Sequence, residues 1–198
     1  MKPLASPPTD INGHWAEAAL RLMIDYQAID VTDGKVRPDE LMTRGEMVKM
    51  LLLSLNGGYE DFGGAYEARA ASFADVAKGS PYFAYVENAL DRGLIDRGDA
   101  FRPEATLSRA DLAGLIVRAL GYRKLAEVEG LFSPKATDLS GVKNQAEIAL
   151  VSGLGIMTAD TAGQFKPQAQ VTRAEAAAAF YKFLQVRTEL QDSPSRTW

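Results

Sequence analysis

Apolar side chains recur in the same register in three segments of the chain, each of which begins at an arginine. An apolar residue stands seven and eleven positions after each arginine: Leu51 and Leu55, Ile116 and Leu120, and Phe180 and Leu184. Because the two offsets differ by four, both side chains fall on one face of a helix. The pattern therefore predicts amphipathic helices at roughly 44–55, 109–120 and 173–187.

A hydroxyl residue precedes each of these helices, and an acid follows it three positions later. The tetrapeptides are Thr43-Arg44-Gly45-Glu46, Ser108-Arg109-Ala110-Asp111 and Thr172-Arg173-Ala174-Glu175. A hydroxyl and a carboxylate at this spacing form a capping box, in which each side chain satisfies a backbone N–H group at the helix start. We therefore interpret the three acids as structural.

The arginines also keep fixed distances from residues upstream. A proline lies six positions before each arginine, and an aspartate lies 34, 34 and 35 positions before it; these residues are Pro38, Pro103 and Pro167, and Asp10, Asp75 and Asp138. A second apolar pattern with helical spacing follows each aspartate, as in Trp15, Ala19 and Leu22. Each unit is therefore predicted to be a helix, a loop and a second helix, which makes the fold class all-α.

The repeats divide the chain into three units, each of which is small for independent stability. We therefore expect the units to form one cooperative body. The predicted boundaries are 1–58 for repeat 1, 59–72 for a linker, 73–122 for repeat 2, 123–135 for a linker, 136–187 for repeat 3 and 188–198 for a tail.

These motifs resemble the S-layer homology domain family, as three tandem repeats. The motifs that carry the resemblance, besides the three tetrapeptides, are His14-Trp15-Ala16, Phe73-Ala74-Asp75, Gly93-Leu94, Phe101-Arg102-Pro103, Gly155-Ile156 and Phe165-Lys166-Pro167. The resemblance implies three helix-loop-helix repeats in a pseudo-threefold arrangement, with a central helical bundle and three prongs. It also implies noncovalent attachment to the bacterial envelope through a secondary cell wall polymer, often pyruvylated, that binds in grooves between the repeats.

The three arginines, Arg44, Arg109 and Arg173, are unfavourably placed for the helices that they start. A cation in the first turn opposes the helix dipole at a cost of about 0.3–1 kcal/mol, so we expect something to compensate for it. One explanation is an anion site, in which free N–H groups at the helix start and the guanidinium bind a carboxylate. The other is an ion pair with an acid of the same or a neighbouring unit. With the resemblance, we favour ligand binding.

The resemblance adds four further candidates for ligand binding, and each has a structural alternative. Asp10, Asp75 and Asp138 could accept hydrogen bonds from sugar hydroxyls, although capping of the first helix or pairing between units is favoured. Trp15 could stack on a sugar ring at a groove edge, although its place on the apolar stripe favours the core.

The composition removes several classes of function. The net charge is −4 and the basic residues are scattered, so the chain lacks the basic footprint of nucleic-acid binding. There is no cysteine and only one histidine, so no metal site or cofactor is expected. No apolar run is long enough to span a membrane, and residues 1–8 lack the apolar region of a secretory signal.

The sequence therefore predicts a monomeric, non-catalytic module outside the cell, in the bacterial cell wall or S-layer, with a cell wall polysaccharide as its partner. Two alternatives remain. A helical-repeat scaffold would bind a protein through exposed apolar surface. A carboxylate-based glycan hydrolase would need two acids about 5–10 Å apart, and no acidic pair stands outside the repeat pattern.

Overall fold

The second helix of each repeat begins at the arginine that the sequence pattern marks. A computed structural model describes residues 7–59 and 64–191 of the chain. Its helices are α1 (Glu17–Asp25), α2 (Arg44–Leu55), α3 (Phe83–Asp91), α4 (Arg109–Ala119), α5 (Arg123–Ala126), α6 (Gln145–Gly153) and α7 (Arg173–Gln191). Among these residues, β-type backbone pairing is limited to isolated bridges. The all-α, helix-loop-helix prediction is confirmed.

Two helices differ from their predicted extent. The last helix, α7, continues to Gln191, four residues beyond its predicted end. The short helix α5 lies in the segment 123–135, which was predicted to be a linker. Arg123 holds it in place, because its guanidinium pairs with Asp96 of repeat 2 and, one turn on, with Glu127. None of the described helices is long and apolar enough to cross a membrane.

All three predicted capping boxes are present. In α2, the backbone N–H of Thr43 donates to the Glu46 carboxylate at 2.9 Å, and the N–H of Glu46 donates back to the Thr43 hydroxyl at 3.3 Å. Ser108 and Asp111 make the same pair of bonds at α4. Thr172 and Glu175 do so at α7. All three acids complete capping boxes, as predicted.

The first helix of each repeat packs on the second helix of another repeat. Helix α3 packs on α2, α6 packs on α4, and α1 packs on α7, so that the first repeat closes onto the third. This cyclic pairing is compatible with the pseudo-threefold arrangement that the resemblance implies. One continuous core joins the repeats; it includes Leu20, Leu51, Val86, Ile116, Val151 and Phe180, each with no exposed surface.

The loops complete the connection between repeats. The first two backbone N–H groups of each second helix donate to carbonyl oxygens in the loop of the next repeat, at 2.8–3.0 Å. The donors and acceptors are Arg44 to Ala105 and Gly45 to Pro103, Arg109 to Ala169 and Ala110 to Pro167, and Arg173 to Glu40 and Ala174 to Pro38. The last pair of bonds again joins repeat 3 to repeat 1.

Candidate ligand-binding grooves

The aspartates that open each repeat hold the loop of their own repeat. Asp75 accepts the backbone N–H groups of Phe101 and Arg102 at 2.8 and 2.7 Å, one on each carboxylate oxygen. Asp10 accepts those of Val36 and Arg37 in the same way. The third carboxylate, Asp138, accepts those of Phe165 and Lys166.

Each of these bonds supports a strained turn. The basic residue before the proline, Arg37, Arg102 or Lys166, has φ of 56°, 60° or 57°, in the left-handed region that non-glycine residues rarely adopt. Burial alone would raise the pKa of Asp75, but the backbone N–H groups of Phe101 and Arg102 outweigh it, and the pKa lies below its ordinary value. The same balance lowers the pKa of Asp10 and of Asp138.

The favoured structural interpretation of these aspartates was therefore wrong. None of them caps a first helix, since the residues at those positions are Ala16, Tyr82 and Asn144, and no side-chain capping bond is present there. The bonds lie within one repeat, so the carboxylates do not pair units either. A carboxylate accepts two adjacent N–H groups where the chain turns, which the spacing alone did not distinguish from a cap. Sugar binding by these residues stays a prediction.

The backbone part of the predicted anion site was also wrong. The N–H groups of the first two residues of each second helix are bonded to loop carbonyls, and the third is bonded to the capping hydroxyl of Thr43, Ser108 or Thr172. No free N–H group is left there for an anion. Any binding at these helix starts depends on the guanidinium groups.

The arginine side chains share one contact across the repeats. Each Nε donates to a carbonyl oxygen of the next repeat, on the residue two positions before the loop proline. The acceptors are Phe101 for Arg44 at 2.9 Å, Phe165 for Arg109 at 2.8 Å, and Val36 for Arg173 at 2.8 Å. Arg44 and Arg109 also lie over the rings of Phe101 and Phe165, with 5.0 and 4.7 Å to the ring centroids.

The terminal nitrogens of the three guanidinium groups differ in what they contact. Both terminal nitrogens of Arg173 are bonded, one to the carboxylate of Glu46 and one to the carbonyl oxygen of Asp30. Arg109 is half-buried, which lowers its pKa, and one terminal nitrogen donates to the Thr158 carbonyl at 3.0 Å. Neither terminal nitrogen of Arg44 has a hydrogen-bond partner in residues 7–59 and 64–191.

A cleft opens beside Arg44, between the first and second repeats. Its volume is about 290 Å³, and its walls are formed by α2, α4 and the loop before Phe101, with Asn144 added from repeat 3. The polar lining consists of Arg44, Asp96, Asp111, Arg118 and Asn144, and the apolar lining includes Met47, Val48, Leu94, Ile95 and Leu115.

Ion pairs fix the charges on the far side of this cleft. Asp96 accepts a hydrogen bond from Arg118 at 2.6 Å and another from Arg123 at 3.1 Å. The bond from Arg118 is the main reason why the pKa of Asp96 lies below its ordinary value. Arg118 is thus paired with Asp96, whereas both terminal nitrogens of Arg44 are available to a ligand.

Trp15 is exposed, so the prediction that it belongs to the core was wrong. Its exposed fraction is 67%, because α1 begins only at Glu17 and Trp15 lies in the turn before it. His14 stabilises this turn, since its Nδ1 accepts the backbone N–H of Ala16 at 3.1 Å. Trp15 does not line the cleft at Arg44. Stacking of Trp15 on a sugar ring stays a prediction.

Several residues of the cleft were not among the candidates. Asp96, Arg118 and Asn144 lie outside the repeated motifs, so no shared spacing marks them. Asp111 was inside a motif, where its role in the capping box hid its place in the cleft wall. One signal in the sequence could have indicated this place: Asp111 departs from the repeat pattern, since it is the shortest of the three capping acids.

Comparison with known proteins gives matches along most of the chain. The family model described as S-layer homology domain matches residues 9–48, 72–113 and 137–177. The S-layer protein of Bacillus licheniformis is 32% identical over 83% of this chain and 18% of its own length. Exoglucanase XynX of Acetivibrio thermocellus is 27% identical over 91% of this chain and 16% of its own length.

A third relative, the amylopullulanase of Thermoanaerobacterium thermosulfurigenes, is 27% identical over 89% of this chain and 9% of its own length. The chain thus spans less than a fifth of each of these relatives. Two of the relatives carry the names of different enzymes and one is an S-layer protein, so the segment that they share with this chain accompanies proteins of different kinds. The resemblance inferred from the motifs is confirmed.

Proposed function

We propose that this chain, which belongs to the S-layer homology domain family, binds an anionic cell wall polymer through Arg44 in the cleft between its first and second repeats. Its family and its S-layer relatives associate the chain with the bacterial cell surface. Our proposal adds the chemical class of the polymer, an acidic sugar with a carboxylate, and the residue that binds it.

The observation that carries this proposal is the state of the Arg44 guanidinium. The Nε bond to Phe101 and the ring beneath it fix the orientation of the group, while both terminal nitrogens have no bonded partner among the described residues. A planar guanidinium held in this way can grip a carboxylate with two parallel hydrogen bonds. Hydrogen bonds to charged groups contribute about 1.5–3 kcal/mol.

The cleft suits one substituted sugar rather than a long stretch of polymer. Its volume of about 290 Å³ is at the lower limit of ligand pockets. The apolar side chains of Ile95 and Leu115 can cover the hydrophobic face of a sugar ring, while Asn144 and Asp111 can bond its polar groups. A pyruvylated amino sugar combines these features, because its ketal carries a carboxylate on a compact ring.

The same cleft is poorly suited to glycan hydrolysis. A general acid in such an enzyme needs a raised pKa so that it is protonated near neutral pH. The pKa of Asp96 is instead lowered by Arg118 and Arg123, and both of its oxygens are bonded. We therefore propose that the module binds its polymer without cleaving it.

Calorimetric titration tests this function. The parent chain is titrated with a synthetic pyruvylated N-acetylmannosaminide and with the same sugar lacking the pyruvate ketal. We expect binding of the pyruvylated sugar only, and Arg44→Ala should weaken it about 100-fold or more, because two charge-assisted bonds of about 1.5–3 kcal/mol each are lost and every 1.4 kcal/mol is about tenfold. Arg92→Ala is the matched control, because it removes an exposed arginine that does not line the cleft.

Two results would contradict the proposal. One is an Arg44→Ala variant that binds the pyruvylated sugar as tightly as the parent. The other is equal binding of the two sugars, which would remove the role of the carboxylate. A parent chain that binds neither sugar while a protein co-purifies with it would favour the scaffold alternative.

A further inference from the structure

The groove at Arg173 is filled by two side chains that are longer than their counterparts in the cleft at Arg44. Helix α2 faces Arg173 with Glu46 and Lys49, whereas α4 faces Arg44 with Asp111 and Gly114. These are equivalent positions, since each pair stands two and five residues after the arginine that starts its helix. The two grooves therefore share a framework and differ in what fills it.

Glu46 serves two partners at once. One carboxylate oxygen accepts the backbone N–H of Thr43 at 2.9 Å and so completes the capping box of α2. The other accepts a hydrogen bond from a terminal nitrogen of Arg173, which is buried with 8% of its surface exposed. With its remaining nitrogens bonded to the carbonyls of Val36 and Asp30, Arg173 has no nitrogen left for a ligand.

Lys49 closes the rest of this groove. Its Nζ lies 2.7 Å from a carboxylate oxygen of Asp30, on the loop that also contacts Arg173. The space enclosed by these side chains does not admit a water molecule. Two ion pairs thus occupy the place where the cleft at Arg44 is open.

The two residues of α4 that face Arg44 are shorter than their counterparts in α2. Asp111 has one methylene group fewer than Glu46, and its bonded oxygen serves the N–H and the hydroxyl of Ser108. It makes no ion pair with Arg44. Gly114 has no side chain to extend across the cleft as Lys49 does.

We propose that the Arg173 groove is a carboxylate site that the protein fills with its own Glu46, so that Glu46 and Lys49 together close this groove to a ligand. This inference rests on the proposed function of the Arg44 cleft. The Glu46 carboxylate occupies on Arg173 the place that a ligand carboxylate would occupy on Arg44. If Glu46 and Lys49 no longer filled it, the Arg173 groove would therefore bind the same acidic sugar.

Exchange of the two pairs of residues tests the inference. Asp111→Glu combined with Gly114→Lys should fill the cleft at Arg44 as Glu46 and Lys49 fill the groove at Arg173, and it should weaken binding of the synthetic pyruvylated N-acetylmannosaminide by about tenfold or more. In the opposite direction, Glu46→Asp combined with Lys49→Gly should add one binding site per chain in calorimetry. The Asp side chain can still complete the capping box, as Asp111 does with Ser108.

Two further variants locate the added site and keep the test independent of folding defects. Adding Arg173→Ala to the Glu46→Asp, Lys49→Gly chain should remove the new site alone. Thermal unfolding shows whether each variant is folded, and the Asp111→Glu, Gly114→Lys chain decides the question if the Glu46→Asp, Lys49→Gly chain is not. Glu46→Asp alone, with Lys49 retained, should bind the sugar at the new site more weakly than the double variant does.

The outcomes separate this inference from the function on which it rests. A parent chain that does not bind the pyruvylated sugar overturns the proposed function and this inference with it. A parent that binds through Arg44 overturns this inference alone if the folded Asp111→Glu, Gly114→Lys chain binds like the parent, or if the folded Glu46→Asp, Lys49→Gly chain gains no site.

Discussion

At the scale of single residues, the contacts between repeats depend on small differences in side-chain size. The start of α2 carries Gly45, which lies against the ring of Tyr82 at the start of α3. The equivalent position is Ala110 in α4 and Ala174 in α7. The Tyr82 ring of repeat 2 therefore requires glycine at this position. The backbone does not, since Gly45 has no positive φ.

We expect Gly45→Ala to destabilise the fold by about 1–3 kcal/mol. A Cβ at this position would lie 2.6 Å from the Tyr82 ring, closer than real contacts allow. Gly114→Ala is the control: its Cβ would lie 3.4 Å from the Asn144 amide, and alanine is favoured over glycine in a helix by about 1 kcal/mol. Denaturant unfolding should show a loss for the first variant and no comparable loss for the second.

The roles of some single residues could be predicted from the sequence and those of others could not. The capping boxes could be predicted because their partners are three residues apart and the chemistry is local. The role of Asp10, Asp75 and Asp138 could not, since their partners lie 26 to 28 residues away and the bonds depend on how the loop folds back. Trp15 was misplaced because its spacing from Ala19 and Leu22 matches a helix, whereas α1 begins only at Glu17.

At the scale of elements, each loop is a fixed turn between two helices. The aspartate bonds hold a left-handed residue before the proline, and the same loop presents the carbonyl oxygens that receive the next arginine. The loop therefore connects the fold of one repeat to the guanidinium of another. If the turn relaxed, Arg44 would lose the contact with Phe101 that orients it.

We expect the stability of the fold to fall in acid because of these turns. The folded-state pKa values of the three aspartates lie below their ordinary values, so their contribution is fully present above about pH 4 and is lost as the pH falls further. Asp75→Asn should cost about 1 kcal/mol at pH 7, because an amide cannot accept both N–H groups. Its difference from the parent should shrink below pH 4.

The matched control for this prediction is Asp99→Asn, which changes an exposed acid whose side chain has no hydrogen bond with the described residues. Denaturant unfolding between pH 3 and pH 7 provides the measurement. A difference between Asp75→Asn and the parent that stayed constant over this range would show that the carboxylate contributes no pH-dependent stability.

The extents of the elements were predicted closely, with informative exceptions. Helices α2 and α4 begin at the predicted residues because the capping boxes define their starts. Their ends are less sharply encoded, and α7 runs on to Gln191. Helix α5 was not predicted, because its support comes from Asp96 in the loop of repeat 2, which is distant in sequence.

At the scale of the whole molecule, the three repeats form a closed set of contacts. Each second helix is held by the first helix and the loop of another repeat, and α1 on α7 closes the set. The sequence predicted a cooperative body from the small size of each unit. It could not predict which helix packs on which, because all three repeats carry similar apolar stripes.

We expect a chain that ends at residue 135 to lose cooperative unfolding. Without repeat 3, α1 would lack α7 and the loop of repeat 1 would lack the start of that helix, which exposes Leu20 and Met23 among other core residues. Burial of such side chains contributes about 1.5–3 kcal/mol each. Calorimetry should show a broad transition or none, and a sharp transition like that of the full chain would mean that the repeats do not depend on closure.

The most direct test of the account is a crystal structure of the full chain with the synthetic pyruvylated N-acetylmannosaminide. The account predicts the sugar in the cleft between repeats 1 and 2, with its carboxylate bonded to the terminal nitrogens of Arg44, and Glu46 still bonded to Arg173. A sugar bound elsewhere with the cleft empty, or a carboxylate that displaces Glu46 from Arg173 while Arg44 has no ligand, would contradict it.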